Sequence, residues 1–269
     1  MDHPDGTRIL IGIAPDAEIV NLKVGSYDGA VDVSQVIAAI DWVVQHKNDN
    51  GLNIRVLNLS FGTDSTQSYV LDPLAYAVEQ AWKAGIVVVV SAGNDGNQHA
   101  LRNPAMDPFV IAVGASEKGN TRPKINSVMD FSNCGTDERS VDIVVPGESI
   151  ASLAAPGSSA YDDHPLSVVG GRYMLGSGTS QAAAVVSGAV AVLLQKDEGL
   201  SPDNVKQLLM DNASPISGVS TACQGAGVVD LAFVGKDLPG RRRELHATPL
   251  RLGHSRLSRH TPCLRASCR

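Results

Sequence analysis

The hydrophobic positions of this chain fall into short unbroken runs alternating with helical stripes. "AEIVNLKV" (17–24) reads as a strand, and "SQVIAAIDWVVQHKND" (34–49) spaces its apolar residues as a helix does, with Ser34 as cap. "IRVLNLSFG" (54–62) reads as a buried strand ending in Ser-Phe-Gly, and "LDPLAYAVEQAWKAG" (71–85) as an amphipathic helix closed by Gly85. "IVVVVSAGN" (86–94) is almost continuously β-branched, as a strand covered on both faces requires. "FVIAVGAS" (109–116) and "VDIVVPG" (141–147) repeat that theme. A last helix, "SPDNVKQLLMDNA" (201–213), opens with Ser201 as cap and Pro202 at its first helical position. Beyond "GAGVVDLAFV" (225–234) no period is sustained.

Strands alternating with helices predict an α/β fold: a mainly parallel sheet flanked by helices on both faces and joined by right-handed crossovers. Ligands of such sheets gather beyond the carboxyl ends of the strands. "LSFG" (59–62) and "SAGN" (91–94) both fall there. The chain has no internal repeat.

Composition narrows this picture. Of 269 residues, 43% are hydrophobic and 19% charged, which excludes wholesale disorder. Aromatics are only 4%, so the core must be built from close-packed Ala, Val and Gly. The longest apolar stretch, 176–194, is interrupted by Gln181, Ser187 and Gly188 and falls short of a membrane span. The first twenty residues lack the basic, apolar and cleavage regions of a signal peptide. The net charge of −6 is unevenly spread: after Pro239 the chain carries eight arginines and one acid, Glu244. We therefore expect a globular region over 1–235 and a disordered, Arg-rich tail over 236–269. An acidic globular region argues against nucleic acid as a partner. Cys134, Cys223, Cys263 and Cys268 show no metal-type spacing.

Candidate chemistry centres on Ser180, in "GSGTSQAAAVVSGAVAVLL". A Ser opening an apolar helix is ordinarily its cap. The nucleophile elbow is excluded because position 182 is Ala rather than Gly, and a dinucleotide-binding turn because Gln181 stands where its third Gly belongs. Asn94, at the end of a buried run, offers a rigid amide donor; Ser60, Phe61 and Gly62 offer an extended edge. A hydroxyl nucleophile, an amide for an oxyanion and an edge for a peptide are the parts acyl transfer needs.

Seven segments in order carry a more specific resemblance: "GIAPDAEIVNLKV", "VLNLSFG", "VVVVSAGNDG", "NPAMDPFVIAVGA", "DFSNCG", "VDIVVPGESI" and "GSGTSQAAAVVSGAVAVLL". Over roughly residues 10–232 the chain resembles the subtilisin-like serine proteases, the subtilases. The resemblance implies a peptide or protein substrate and a subtilisin-like fold. It makes Ser180 the nucleophile, and Asn94 an oxyanion-hole donor acting with the Ser180 N–H. It makes Ser60, Phe61 and Gly62 the strip that pairs with substrate backbone, and Ser91, Ala92 and Gly93, with Asn94, the lining of a side-chain pocket.

The resemblance also implies a triad Asp and a His in a His-Gly-Thr-His stretch, both upstream of "GIAP". This chain begins only a few residues before that segment, so we expect an incomplete catalytic domain whose Asp and His come from a missing N-terminal segment. His3, His46, His99 and His164 lie in contexts unlike the family's base. Non-catalytic peptide binding is the alternative. After Ser180, Ala184 and Val185 replace the family's usual Pro and His. Subtilases often bind calcium and are usually secreted; no acidic loop here has a convincing calcium spacing, and no cofactor is called for.

Overall fold

The computed structural model describes residues 11–26, 29–65, 67–117, 127–136 and 138–235. The chain divides into units Met1–Asp237 and Leu238–Arg269, and all described residues belong to the first. The expected tail at 236–269 lies outside the described residues, as does His3.

In chain order the elements are helix α1 (Val33–His46), strand β1 (Val56–Leu59), helix α2 (Pro73–Lys83), and strands β2 (Val87–Ser91), β3 (Ile111–Ser116), β4 (Ile143–Pro146) and β5 (Ile150–Leu153). A short helix α3 (Ser159–Asp163) and strands β6 (Val168–Val169) and β7 (Tyr173–Gly176) lead into the long helix α4 (Thr179–Lys196). The series closes with α5 (Pro202–Asp211), β8 (Ala213–Ser214), α6 (Thr221–Gln224) and β9 (Val228–Val229).

The main sheet runs β1-β2-β3-β4-β9-β8. Every pairing from β1 to β9 is parallel, and only β8 joins antiparallel. Every residue of β2 and β3 is buried, which explains why both read as unbroken apolar runs instead of alternating ones. Helix α4 lies across β1 to β4, while α2 and α5 contact β2. The buried stripe of α4 (Ala182, Ala183, Val186, Ala189, Val190, Leu193 and Leu194) recurs at helical spacing, with alanines letting the helix close on the sheet. Each fully buried Val or Leu there contributes about 1.5–3 kcal/mol.

Three expectations are corrected. The predicted strand at 17–24 pairs with no described strand: Ile19 is 83% exposed, and β1, at the edge of the sheet among the described residues, pairs only with β2. Alternating residues do not make a strand without a partner ladder. The cap of α1 is Asp32, not Ser34; its carboxylate accepts the Ser34 N–H at 2.8 Å. Ser180 is not the cap of α4 either, because Gly178 holds that position and Ser180 lies inside the first turn.

Other expectations hold. Ser201 caps α5 in a reciprocal capping box with Asn204, and Pro202 opens the helix. Two features were not anticipated. An antiparallel sheet, β5-β7-β6, is built from 150–176. Cys134 and Cys223, 89 residues apart, form a disulfide.

Candidate active site

Parallel pairing puts the carboxyl ends of β1 and β2 side by side, with Leu59 opposite Val90. The strips 60–62 and 91–94 therefore leave the sheet along the same edge. Helix α4 starts against them, and its Thr179 is fully buried. Between these segments lies a cleft of about 290 Å³. Ser60, Phe61, Gly62, Ser91, Gly93, Asn94 and Ser180 all line it, with Asp64, Asp95 and Arg102. Ala92 does not: it is fully buried, and its backbone joins Val113 and Arg102. A larger cavity, about 560 Å³ between α2 and the start of α5, contains none of these residues.

The start of α4 is held by Asn94 from a distance in sequence. Asn94 Oδ1 accepts the Thr179 N–H at 2.8 Å and the Thr179 hydroxyl at 3.0 Å. The Gly93 N–H in turn donates to Thr179 Oγ1 at 3.2 Å. An amide whose oxygen caps a helix has only its nitrogen left to offer. Asn94 is exposed, and no described residue accepts from its Nδ2. Ser180, one residue further on, falls in the first turn, where helix geometry gives its N–H no intrahelical acceptor. The positive end of the helix dipole lies at the same point. Two N–H donors therefore stand beside one hydroxyl.

The other wall is latched to this one. Ser60 Oγ donates to the Ser180 carbonyl at 3.1 Å, and Asn58 Nδ2 donates to Ser60 Oγ at 3.1 Å. Ser187, two turns along α4, donates to Asn58 Oδ1 at 2.9 Å. Behind the cleft, buried Asn133 fixes the turn that carries Asn94. Its Oδ1 accepts the Asp95 N–H at 2.7 Å, its Nδ2 reaches Asp95 Oδ2 and the Ala100 carbonyl, and its N–H donates to the Gly93 carbonyl. Hydrogen bonds from Arg102, then from Asn133, hold the Asp95 carboxyl down at about 2. Asn133, Thr179 and Arg102 escaped the sequence reading. The first two stand within quoted segments, "DFSNCG" and "GSGTS", but nothing local reveals their partners.

Among the described residues nothing hydrogen-bonds Ser180 Oγ. His46 stacks on Trp42 and is bonded to the Trp42 carbonyl, and His99 sits on the exposed loop beyond Asn94. No group of three or more described His, Cys, Asp or Glu residues is placed to hold a metal ion. No described helix is long and apolar enough to cross a membrane.

The family model of the Subtilase family matches residues 3–242. The chain is a subtilase. It is 35% identical over 227 residues to Serine protease AprX of Bacillus subtilis (strain 168), covering 81% of this chain and 51% of that protein. Subtilisin-like protease 1 of Arthroderma gypseum is 36% identical over 213 residues, or 77% of this chain and 38% of that protein. This subtilase thus spans about half, or less, of the length of these curated relatives. Among solved structures, Sphericase superposes with a TM-score of 0.65 at 25% identity, covering 80% of this chain and 69% of its own. A cold adapted subtilisin-like serine proteinase gives 0.60 at 30%, covering 81% and 67%. The mainly parallel α/β architecture is that of the subtilisin-like neighbours.

Proposed function

We propose that this subtilase chain carries the acyl-transfer half of a serine endopeptidase. Ser180 Oγ attacks the carbonyl of the scissile peptide bond, and the resulting oxyanion is held by the Ser180 N–H and Asn94 Nδ2. The tetrahedral species collapses to an acyl-enzyme on Ser180, releasing the amine half, and water then frees the acid half. Residues 60–62 pair with substrate backbone as an added strand, and Ser91, Gly93 and Asn94 border the pocket for the side chain before the cleaved bond. The general base and the carboxylate that orients it come from residues outside those described.

One observation carries this reading. Asn94 Oδ1 is committed to the start of α4, so its amide nitrogen, which has no described acceptor, is the group left to donate in the cleft that Asn94 lines with Ser180. A donor oriented before substrate arrives needs no reorganisation when charge develops. No described residue serves Ser180 Oγ as a base, and the base bears on rate: in a subtilisin, losing nucleophile or base costs on the order of 10⁶ in turnover.

A fluorophosphonate probe tests the assignment. The chain alone is expected to label slowly and at Ser180 only, with Ser180→Ala abolishing the signal and Asn94→Ala lowering it about 10²-fold or more. Labelling that survives Ser180→Ala refutes the nucleophile. No labelling, with saturable peptide binding, supports the second reading, a peptide-binding pseudoprotease. That reading is favoured by the lack of any described partner for Ser180 Oγ.

A further inference from the structure

Arg102 enters the cleft from behind and ends in a clamp of two carboxylates. Its backbone N–H donates to the Ala92 carbonyl at 3.1 Å, which fixes where the side chain sets out. The stem then passes between the two glycine walls. A methyl group at Gly62 would stand 2.8 Å from Arg102 Cβ, and one at Gly93 would stand 2.9 Å from Cγ. Such distances are below any normal contact, so glycine at 62 leaves room for the stem, and glycine at 93 leaves room both for the stem and for Asn133 Nδ2, which such a methyl would meet first at 2.5 Å. Gly93 also has φ +115°, a backbone conformation that side-chain-bearing residues rarely adopt. At the tip, Nε lies 2.7 Å from Asp95 Oδ2 and Nη1 lies 2.8 Å from Asp64 Oδ1. Asp95 is itself held by Asn133 Nδ2 at 3.1 Å. The clamp is unequal: Asp64 is 91% exposed and Asp95 only 38%.

We propose that Arg102 is the specificity-setting floor of this cleft, admitting short, uncharged side chains before the scissile bond. This rests on the cleft being the peptide site proposed above. A bulky aromatic ring can enter only by driving the stem from between Gly62 and Gly93 and breaking its charge-assisted bond to Asp95. An anionic side chain meets Asp64 and Asp95. A cationic one meets a guanidinium that already holds both carboxylates. Glycyl, alanyl or seryl side chains avoid all three penalties. Arg102 thus acts on which substrate is held, not on the bond that breaks.

The test is equilibrium binding of fluorescein-labelled tetrapeptides ending in Ala, Phe, Glu or Lys, read by anisotropy with the full chain and two variants. The wild type should bind the Ala peptide at least about tenfold more tightly than the others, a preference of about 1.4 kcal/mol. Arg102→Ala should shift the Ala-to-Phe ratio toward Phe by about tenfold, the scale on which pocket size discriminates. Arg102→Met keeps the stem but not the charge; it should retain the Ala-to-Phe preference and gain Lys binding at the freed carboxylates. A folded Arg102→Ala protein with an unchanged Ala-to-Phe ratio overturns the proposal. If that variant does not fold, Arg102→Met decides: a gain of Lys binding upholds the proposal and an unchanged Lys affinity overturns it. Failure of every peptide to bind the wild type refutes the peptide cleft itself, and this proposal falls with it.

Discussion

Replacing Asp107 with Asn should make this protein more stable at neutral and alkaline pH than at acid pH, relative to the wild type. Asp107 lies between β2 and β3 and is fully buried. One carboxylate oxygen accepts the Phe109 N–H at 2.8 Å, while the other is buried with no partner. Burial pushes the carboxyl up to about 6 from 3.8; Glu79 adds to the rise, while the Phe109 N–H, Arg139 and Lys206 oppose it. About two units at 1.36 kcal/mol each give about 3 kcal/mol.

The sign follows from which state holds the proton more tightly. A folded-state value above the unfolded one favours folding at low pH, and that stability is lost as pH rises from about 4 through about 6. Asn carries no such penalty. Melting followed by circular dichroism at pH 4 and pH 8 gives the measurement. The variant's Tm advantage should be about 6–12 °C larger at pH 8 than at pH 4, taking about 2–4 °C per kcal/mol for a domain of this size. Comparing the two pH values cancels the pH-independent cost of the new amide N–H groups. A Tm difference that does not change with pH would refute the reasoning.

Other perturbations have equally direct outcomes. Asp142 is 6% exposed and accepts from both Arg139 terminal nitrogens, from Lys206 at 3.0 Å and from the Ala112 N–H; their attraction, against burial, keeps its carboxyl below the usual range. Asp142→Ala strands two partly buried cations and should cost about 3–5 kcal/mol in chemical denaturation. Reducing the Cys134–Cys223 disulfide, which closes a separation of 89 residues, should lower stability by about 4–5 kcal/mol on the chain-entropy account. Denaturant titration with and without reductant reads that loss. Asn133→Ala removes three side-chain bonds around the Asn94 turn and should cost about 2–4 kcal/mol, with probe labelling of Ser180 falling further than stability accounts for.

What the sequence revealed and what it hid divide along a physical line. β2 and β3 were plain because residues buried on both faces leave a run that nothing else explains. The start of α5 was plain because a Ser followed by Pro places the cap and the first helical position side by side in the sequence. The ends of β1 and β2 could be named as a site because parallel pairing sends both to the same edge. Ser34 was mistaken for the cap of α1 because Asp32 and Ser34 are both good cap residues, and only backbone geometry decides between them. The segment 17–24 has the alternation of a strand, yet alternation carries no information about whether a neighbour is present to pair with. The Cys134–Cys223 bond joins the segment after β3 to α6, a proximity set by the whole β4 to β9 topology. Arg102 was passed over for the same reason: its meaning lies in two glycines about forty and nine residues away.

The amide of Asn94 has a consequence for how this protein ages. Its oxygen caps α4, and a carboxylate would do that equally well, since Asp and Asn are comparable caps. Hydrolytic loss of the side-chain nitrogen would therefore leave the melting curve nearly unchanged. It would also place a negative charge where the proposed chemistry requires a hydrogen-bond donor. Stored material in which this loss occurs would hold molecules that are folded and about one mass unit heavier, yet far slower toward a serine probe. For this chain, thermal stability is a poor proxy for intact chemistry.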